Sequence, residues 1–304
     1  MIHIPLTVSF YKNRSRIYNS YILEYIWVDG RRNLRSKYRT ATINFMDSGN
    51  DSIVVENWNY HDNDNHEIAL VPVAHYANPF FDPGRAFLVL CDTLAETNFR
   101  RDAIKVFETC NYNSGGYKLD PWFRIKQSVT GTGTQSGTHT ITLRKLAEKH
   151  YEYCLKAGLK IGGINTEVAP SNQWEFRIGP CPCIRAGDEL WVARFILHKL
   201  GEEFGVCIRF KSDLAANTLN TTFSTEKSRN RNGLKCIYNY IDRLWKKHAR
   251  NAAGFALGAA ATASIRVPTS VLKAGCGHLE DRRPASDADP YQVIAAIFSG
   301  ACFD

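Results

Sequence analysis

Between Gln173 and Gly205 the spacing of apolar side chains changes period. In Gln173–Gly179 (QWEFRIG), Trp174, Phe176 and Ile178 recur at every second residue, with Glu175 and Arg177 between them. That is the period of a strand, whose successive side chains point to opposite faces. After Gly187 the apolar residues Leu190, Ala193, Leu197, Leu200 and Phe204 step by three and four, with Gly205 as a stop, which predicts a helix. A sheet built from such strands has one apolar face and projects its polar side chains together from the other. That is how a sheet displays a binding site.

The two periods alternate along most of the chain. Helical spacing recurs at Phe99, Ala103, Val106 and Cys110, at Leu143, Leu146, Ala147, Tyr151 and Cys154 up to Gly158, and at Leu234, Ile237, Ile241 and Leu244. In Ala263–Val267, Ile265 alternates with Arg266 as in a strand. Nearer the N-terminus, Ile22–Val28 reads as a strand closed by the turn dipeptide Asp29-Gly30, and Val54–Val55 and Leu70–Val73 as two more, with the polar loop His61–Glu67 between them. Residues 1–85 therefore form a small sheet-rich domain, ending in the proline cluster Pro79–Pro83, and residues 86–304 a larger mixed one. The Thr/Gly-rich segment Thr130–Thr140 reads as a flexible linker.

Composition narrows the function classes. The chain has 304 residues, 44% hydrophobic and 22% charged, as ordinary soluble globular proteins do. It has no apolar run long enough to span a membrane. The net charge of +8 favours anionic partners, but the basic residues are scattered and no aromatic-plus-basic module accompanies them, which argues against nucleic acid. Nine cysteines at irregular intervals read as reduced thiols in a cytoplasmic setting. Neither Cys181 with Cys183 nor Cys276 with His278 has the spacing of structural zinc ligands. Residues 1–23 lack acids and carry Lys12, Arg14 and Arg16, a weak likeness to a transit peptide.

Three acids stand out by context, Glu167, Glu175 and Glu280, accompanied by Arg177, Arg266 and Arg282. Carboxylates projecting from strands into shared space suit a hard cation, and arginines grip phosphate or carboxylate in two-pronged fashion. The same residues could equally form an ion-pair network with no substrate.

The stretches around these residues carry a resemblance. GINTEVAPSNQWEFRIGPC, DELWVARFILHKLGEEFGV, NTTFST, ASIRVP and GHLEDRRPASDADPY, with YIWVDG, LRSKYRT, WNYHD, LVPVA, LVLCDTLAETNFR and PWFRIKQ, resemble eukaryotic-type glutamine synthetases, in the family's order from about residue 24 to 295. The resemblance implies an α+β fold, with a small β-grasp-like N-terminal domain and a larger synthetase-like domain whose curved antiparallel sheet has flanking helices. It implies ATP-dependent ligation of ammonia to glutamate, with Mg²⁺ or Mn²⁺, in sites completed between subunits of a ring. Carried over by position, Glu167 and Glu175 match ligands of one metal and Glu280 a ligand of the second. Thr222, Ser224, Arg266 and His278 match ATP-contacting positions, the last usually aromatic. Arg282 matches an arginine near the transferring phosphate.

The departures fall on the same chemistry. The family's P-W-F-G-x-E-Q-E stands here as Pro121–Ser128, with Lys126 and Ser128 in place of two metal-binding acids, and Asn220 stands where the family has a metal-binding histidine. A cation cannot bind an ammonium, and an inward-pointing Lys126 would pair with Glu167 or Glu175. Ala215–Leu219 replaces a glutamate-binding segment, Asn251–Ala253 lacks a substrate arginine, and Ala256–Thr262 replaces a longer flap with its acid. The acid of the WN[FY]D loop aligns with His61, beside Asp62. These losses imply a catalytically impaired member, a pseudoenzyme homo-oligomer. The alternatives are a structural or regulatory subunit co-assembled with active synthetase, or an incomplete gene model of an active one that uses glutamate and ammonia.

Overall fold

The computed structural model describes residues 6–10, 20–42, 51–94, 98–113, 119–133, 139–166, 173–210, 218–247 and 265–303. They form an α+β protein with fourteen strands and seven helices among the described residues. The chain divides into two compact units, one taking in residues 1–98 with 156–159, the other residues 99–155 with 160–304.

The first unit holds a five-stranded sheet in the order β3(Leu34–Thr42)-β2(Ser20–Val28)-β7(Ala86–Thr93)-β6(Glu67–Ala77)-β5(Trp58–His61), and a separate pair of β1(Leu6–Phe10) with β4(Asp51–Val55). Strands β2 and β7 run parallel, and the other neighbours in the five-stranded sheet are antiparallel. The β2–β3 hairpin turns where Asp29-Gly30 was expected to turn it. One Asp29 oxygen accepts from the backbone N–H of Arg31 and of Asn33, at 2.9 Å each, and the other from Arg35 Nε at 2.9 Å. The sheet takes in β7, beyond the Pro79–Pro83 cluster. Tyr21, Leu23, Tyr25 and Trp27 alternate inward along β2, and the Tyr25 and Trp58 rings meet edge to face at 5.3 Å.

The second unit is built on a seven-stranded sheet. Its order is β13(Ile265–Arg266)-β14(Leu279–Asp281)-β12(Leu219–Ser224)-β8(Trp122–Gly133)-β10(Gln173–Pro182)-β9(Ile161–Asn165), with β11(Val206–Arg209) on the distal half of β8. All its pairings are antiparallel. The expected switch from strand to helix is present: β10 leads into α3(Arg185–Phe204), capped by Gly205 at φ 63°. Helix α3 packs on β10 and β11. The helices α1(Phe99–Asn113), α2(His139–Lys156), α5(Leu234–Lys246) and α7(Pro290–Cys302) complete this layer, with the short α4(Glu226–Arg229) and α6(Thr269–Ala274). Phe107, Phe123, Phe223 and Phe298 join sheet to helices, with ring centroids 4.9–6.3 Å apart.

The Thr/Gly-rich segment is not a linker throughout. Residues 130–133 continue β8, and α2 begins at His139, so only 134–138 lie outside the described residues. Thr130 is opposite Gln173 on one side and Arg209 on the other. A Cβ at Gly131 would collide with Leu143 of α2, so the glycine read as flexibility is a close-packing contact.

Candidate functional site

Alternation along β8 sends Phe123, Ile125, Gln127 and Val129 into the buried layer and Arg124, Lys126 and Ser128 to the opposite face. Neighbouring strands add polar residues to that face in register. Glu175 is opposite Ser128, and Arg177 opposite Lys126; on the other side Asn220 is opposite Lys126, and Thr222 opposite Arg124. Thr222 is in turn opposite Glu280, and Glu280 opposite Arg266. Residues far apart in sequence thus share one patch, as the alternation in QWEFRIG predicts.

Each described acid on the patch is already engaged. Lys126 Nζ lies 2.9 Å from Glu175 Oε1, and Ser128 Oγ donates to the same oxygen at 3.5 Å. Glu280 Oε1 accepts from Asn220 Nδ2, with Arg282 Nε at 3.6 Å, and Glu280 Oε2 accepts from Arg266 Nε. Burial alone would raise the Glu280 pKa; the hydrogen bonds from Arg266 and Asn220 and the charges of Arg282 and Arg266 outweigh it and hold the carboxyl below its ordinary value. Asn220 Oδ1 and Arg282 Nε are buried without a hydrogen-bond partner. Glu167 lies outside the described residues, as do Ala215–Asn217 of the expected glutamate-binding segment and all of 248–264, which includes the flap region.

Beside this patch is a cavity of about 420 Å³. Its walls are the Trp122 ring, Pro180 and His278, with Thr222, Ser224 and Arg124 at its polar side and Arg229 also lining it. Arg229 pairs with Asp120 at 2.6 Å, donates to Ser224 Oγ at 3.1 Å and lies 5.8 Å from the Trp122 ring centre. Two glycines shape the walls. Gly179, at φ 97°, sets Pro180, and a Cβ there would come 2.5 Å from Phe123 O. Gly277, at φ 140°, precedes His278; its N–H donates to Ser228 O at 2.7 Å, and Ser228 Oγ donates to Gly277 O at 2.8 Å. Burial, then the charge of Arg124, lowers the His278 pKa against a weaker opposing pull from Glu280, so His278 is neutral at pH 7.

Among the described residues, the donor set of the patch is a poor match for a divalent ion. A hard dication needs several free oxygen ligands. Here Glu175 holds an ammonium, both Glu280 oxygens hold nitrogen donors, and the carbonyl of Asn220 is the unengaged oxygen between them. Among the described residues, the first unit has a cluster of two carboxylates and an imidazole, Asp62, Asp64 and His66, whose ligand atoms lie within 4.8 Å of one another. Asp62 Oδ1 accepts from the N–H groups of Asp64 and His66, at 2.9 and 2.8 Å, so it serves as the cap of its own turn.

No protein-family profile matches the chain. Individual relatives do. A glutamine synthetase of Emericella nidulans is 35% identical over 343 aligned positions, covering 93% of this chain and 93% of the relative. That of Saccharomyces cerevisiae is 35% identical, covering 92% and 89%, and that of Rattus norvegicus 36%, covering 90% and 88%. The chain belongs to the glutamine synthetase family. The 343 aligned positions exceed the 304 residues present, so this synthetase relative lacks internal segments that the Emericella nidulans protein has.

The structure brings Glu175, Glu280, Arg266, Arg282 and Thr222 onto or beside one face, and Thr222, Ser224 and His278 around the adjoining cavity. Sequence reasoning did not single out Trp122, Arg124, Pro180 and Arg229 as lining residues. Arg124 had a visible signal, since the resemblance implies a glycine at its position in Pro121–Ser128. Arg229 had none, because its place depends on its pairing with Asp120, which is distant in the chain.

Proposed function

We propose that this chain is a glutamine synthetase family protein that has lost synthetase turnover and keeps a nucleotide-type binding cavity. The reading rests on the Lys126–Glu175 contact at 2.9 Å, which puts a side-chain ammonium beside an acid that the family resemblance assigns to a metal. An ammonium offers donors only, so it balances the acid's charge and cannot polarise a phosphoryl oxygen as a Lewis acid does.

Within this reading, Thr222, Ser224, Arg266 and His278 contact the nucleotide, and Glu280 and Arg282 are remnants of the phosphate-transfer machinery. Glu167, Glu175 and Glu280 are what remains of the ligand set for Mg²⁺ or Mn²⁺. Removing two acids and a histidine costs transition-state stabilisation at several places at once, and each 1.4 kcal/mol lost is about tenfold in rate. The small sheet domain followed by a synthetase-like domain, a β-grasp-like form for the first, a cytoplasmic setting, and assembly with itself or with active synthetase subunits belong to the same proposal.

The test is a γ-glutamyl hydroxamate assay of the purified chain with glutamate, ATP and either Mg²⁺ or Mn²⁺. No turnover above background is expected, and robust turnover overturns the reading. Co-assembly is tested separately, by co-purifying the chain with an active synthetase from the same source; separate elution excludes it.

A further inference from the structure

The charges of the polar face are unbalanced. Among its described residues are five cations, Arg124, Lys126, Arg177, Arg266 and Arg282, against two carboxylates, Glu175 and Glu280. Lys126 neutralises Glu175, and Arg266 with Arg282 more than neutralises Glu280. Arg124 and Arg177 are exposed and have no carboxylate partner among the described residues. Arg124, exposed and opposite Thr222, also lines the cavity. A dication brought to these described residues would meet excess positive charge, whereas an anion would meet complementary charge.

We propose that the cavity and adjoining face bind a phosphate-bearing aromatic ligand of the nucleotide class in its metal-free form, with Arg124 as the phosphate-gripping group and Lys126 as a fixed substitute for metal charge. This rests on the nucleotide-binding part of the function proposed above and specifies which ionic species is bound. The ring enters between Trp122, Pro180 and His278, which line the cavity together. The phosphates then lie toward Arg124, whose fork matches two phosphate oxygens at once. Coordinated magnesium would mask those oxygens and lower the ligand's negative charge, so magnesium competes with the protein for the phosphates.

Isothermal titration of the full chain with ATP, in EDTA and in excess magnesium chloride, tests this. Binding tighter by about fivefold or more in EDTA is expected. Equal or tighter binding with magnesium, or no binding in either buffer, overturns the proposal. R124A, an exposed change that leaves the buried layer untouched, should weaken binding in EDTA by about tenfold. Unchanged affinity of a variant with a wild-type melting curve overturns the role of Arg124. K126E returns an acid to the face and should shift the preference toward magnesium; a folded K126E with the wild-type preference overturns the role of Lys126. The two proposals fail differently. Magnesium-requiring binding without hydroxamate turnover removes this one alone, whereas turnover removes the inactive reading.

Discussion

Glu280 has a carboxylate that accepts from two nitrogen donors on neighbouring strands, Asn220 and Arg266, with the charge of Arg282 3.6 Å away. Its folded pKa is below the ordinary 4.5, so the stability it contributes is fully present above that value and is lost as pH falls through the folded pKa. Thermal melts of the wild type should therefore fall along an acid limb that begins below about pH 4.5, and E280Q should flatten that limb. At pH 7 E280Q should melt earlier, by about 1–2 kcal/mol of stability, because neutral amide bonds replace charge-assisted ones. An acid limb of the same depth in E280Q would refute the assignment. His150 illustrates the opposite case at the same scale. It is fully buried and bonded to Ala193 O at 2.9 Å, with its pKa lowered to about 4, so it serves as a neutral core residue rather than a proton carrier.

Elements show where sequence was readable and where it was not. Period-two and period-3.6 patterns in Gln173–Phe204 were enough to read a strand, a helix and the polar face, because burial on one side leaves a direct trace in the order of residues. The glycine-terminated end of α3 was equally legible. The distal end of β8 was not. Thr130–Gly133 resembles a linker by composition, and its strand form comes from pairing with β10 and β11, partners that sequence spacing does not reveal. G131A tests that packing. It should destabilise the protein by about 1–3 kcal/mol in urea unfolding through collision with Leu143, and L143A in the same chain should relieve part of that cost. Additive losses in the double variant would show that α2 and β8 do not meet there. The cavity was only half legible for the same reason. Thr222, Ser224 and His278 come from recognisable stretches, but Trp122 joins Pro180 and Arg229 only through strand register and one ion pair.

For the whole molecule, the family relationship covers about nine-tenths of the chain. Net charge, +8 by sequence, acts at this scale. It should draw polyphosphates toward the protein at low ionic strength, and added sodium chloride should weaken ATP binding by lowering the association rate more than by raising dissociation. Stopped-flow measurements across a salt series would check this, and a salt-independent association rate would contradict it. No described helix is long and apolar enough to cross a membrane.

The hydroxyl of Ser228 links a helix start to a distant loop. It receives the N–H of Thr225 at 2.9 Å and donates to Gly277 O at 2.8 Å, one residue before His278. The His278 wall of the cavity is thus hung from a peg planted well upstream, in a residue that does not line the cavity. Swapping serine for alanine there would leave the loop held by the Gly277 N–H bond to Ser228 O alone, without altering any group that lines the cavity. Variation at such a position could retune what the pocket accepts while every lining residue stayed the same.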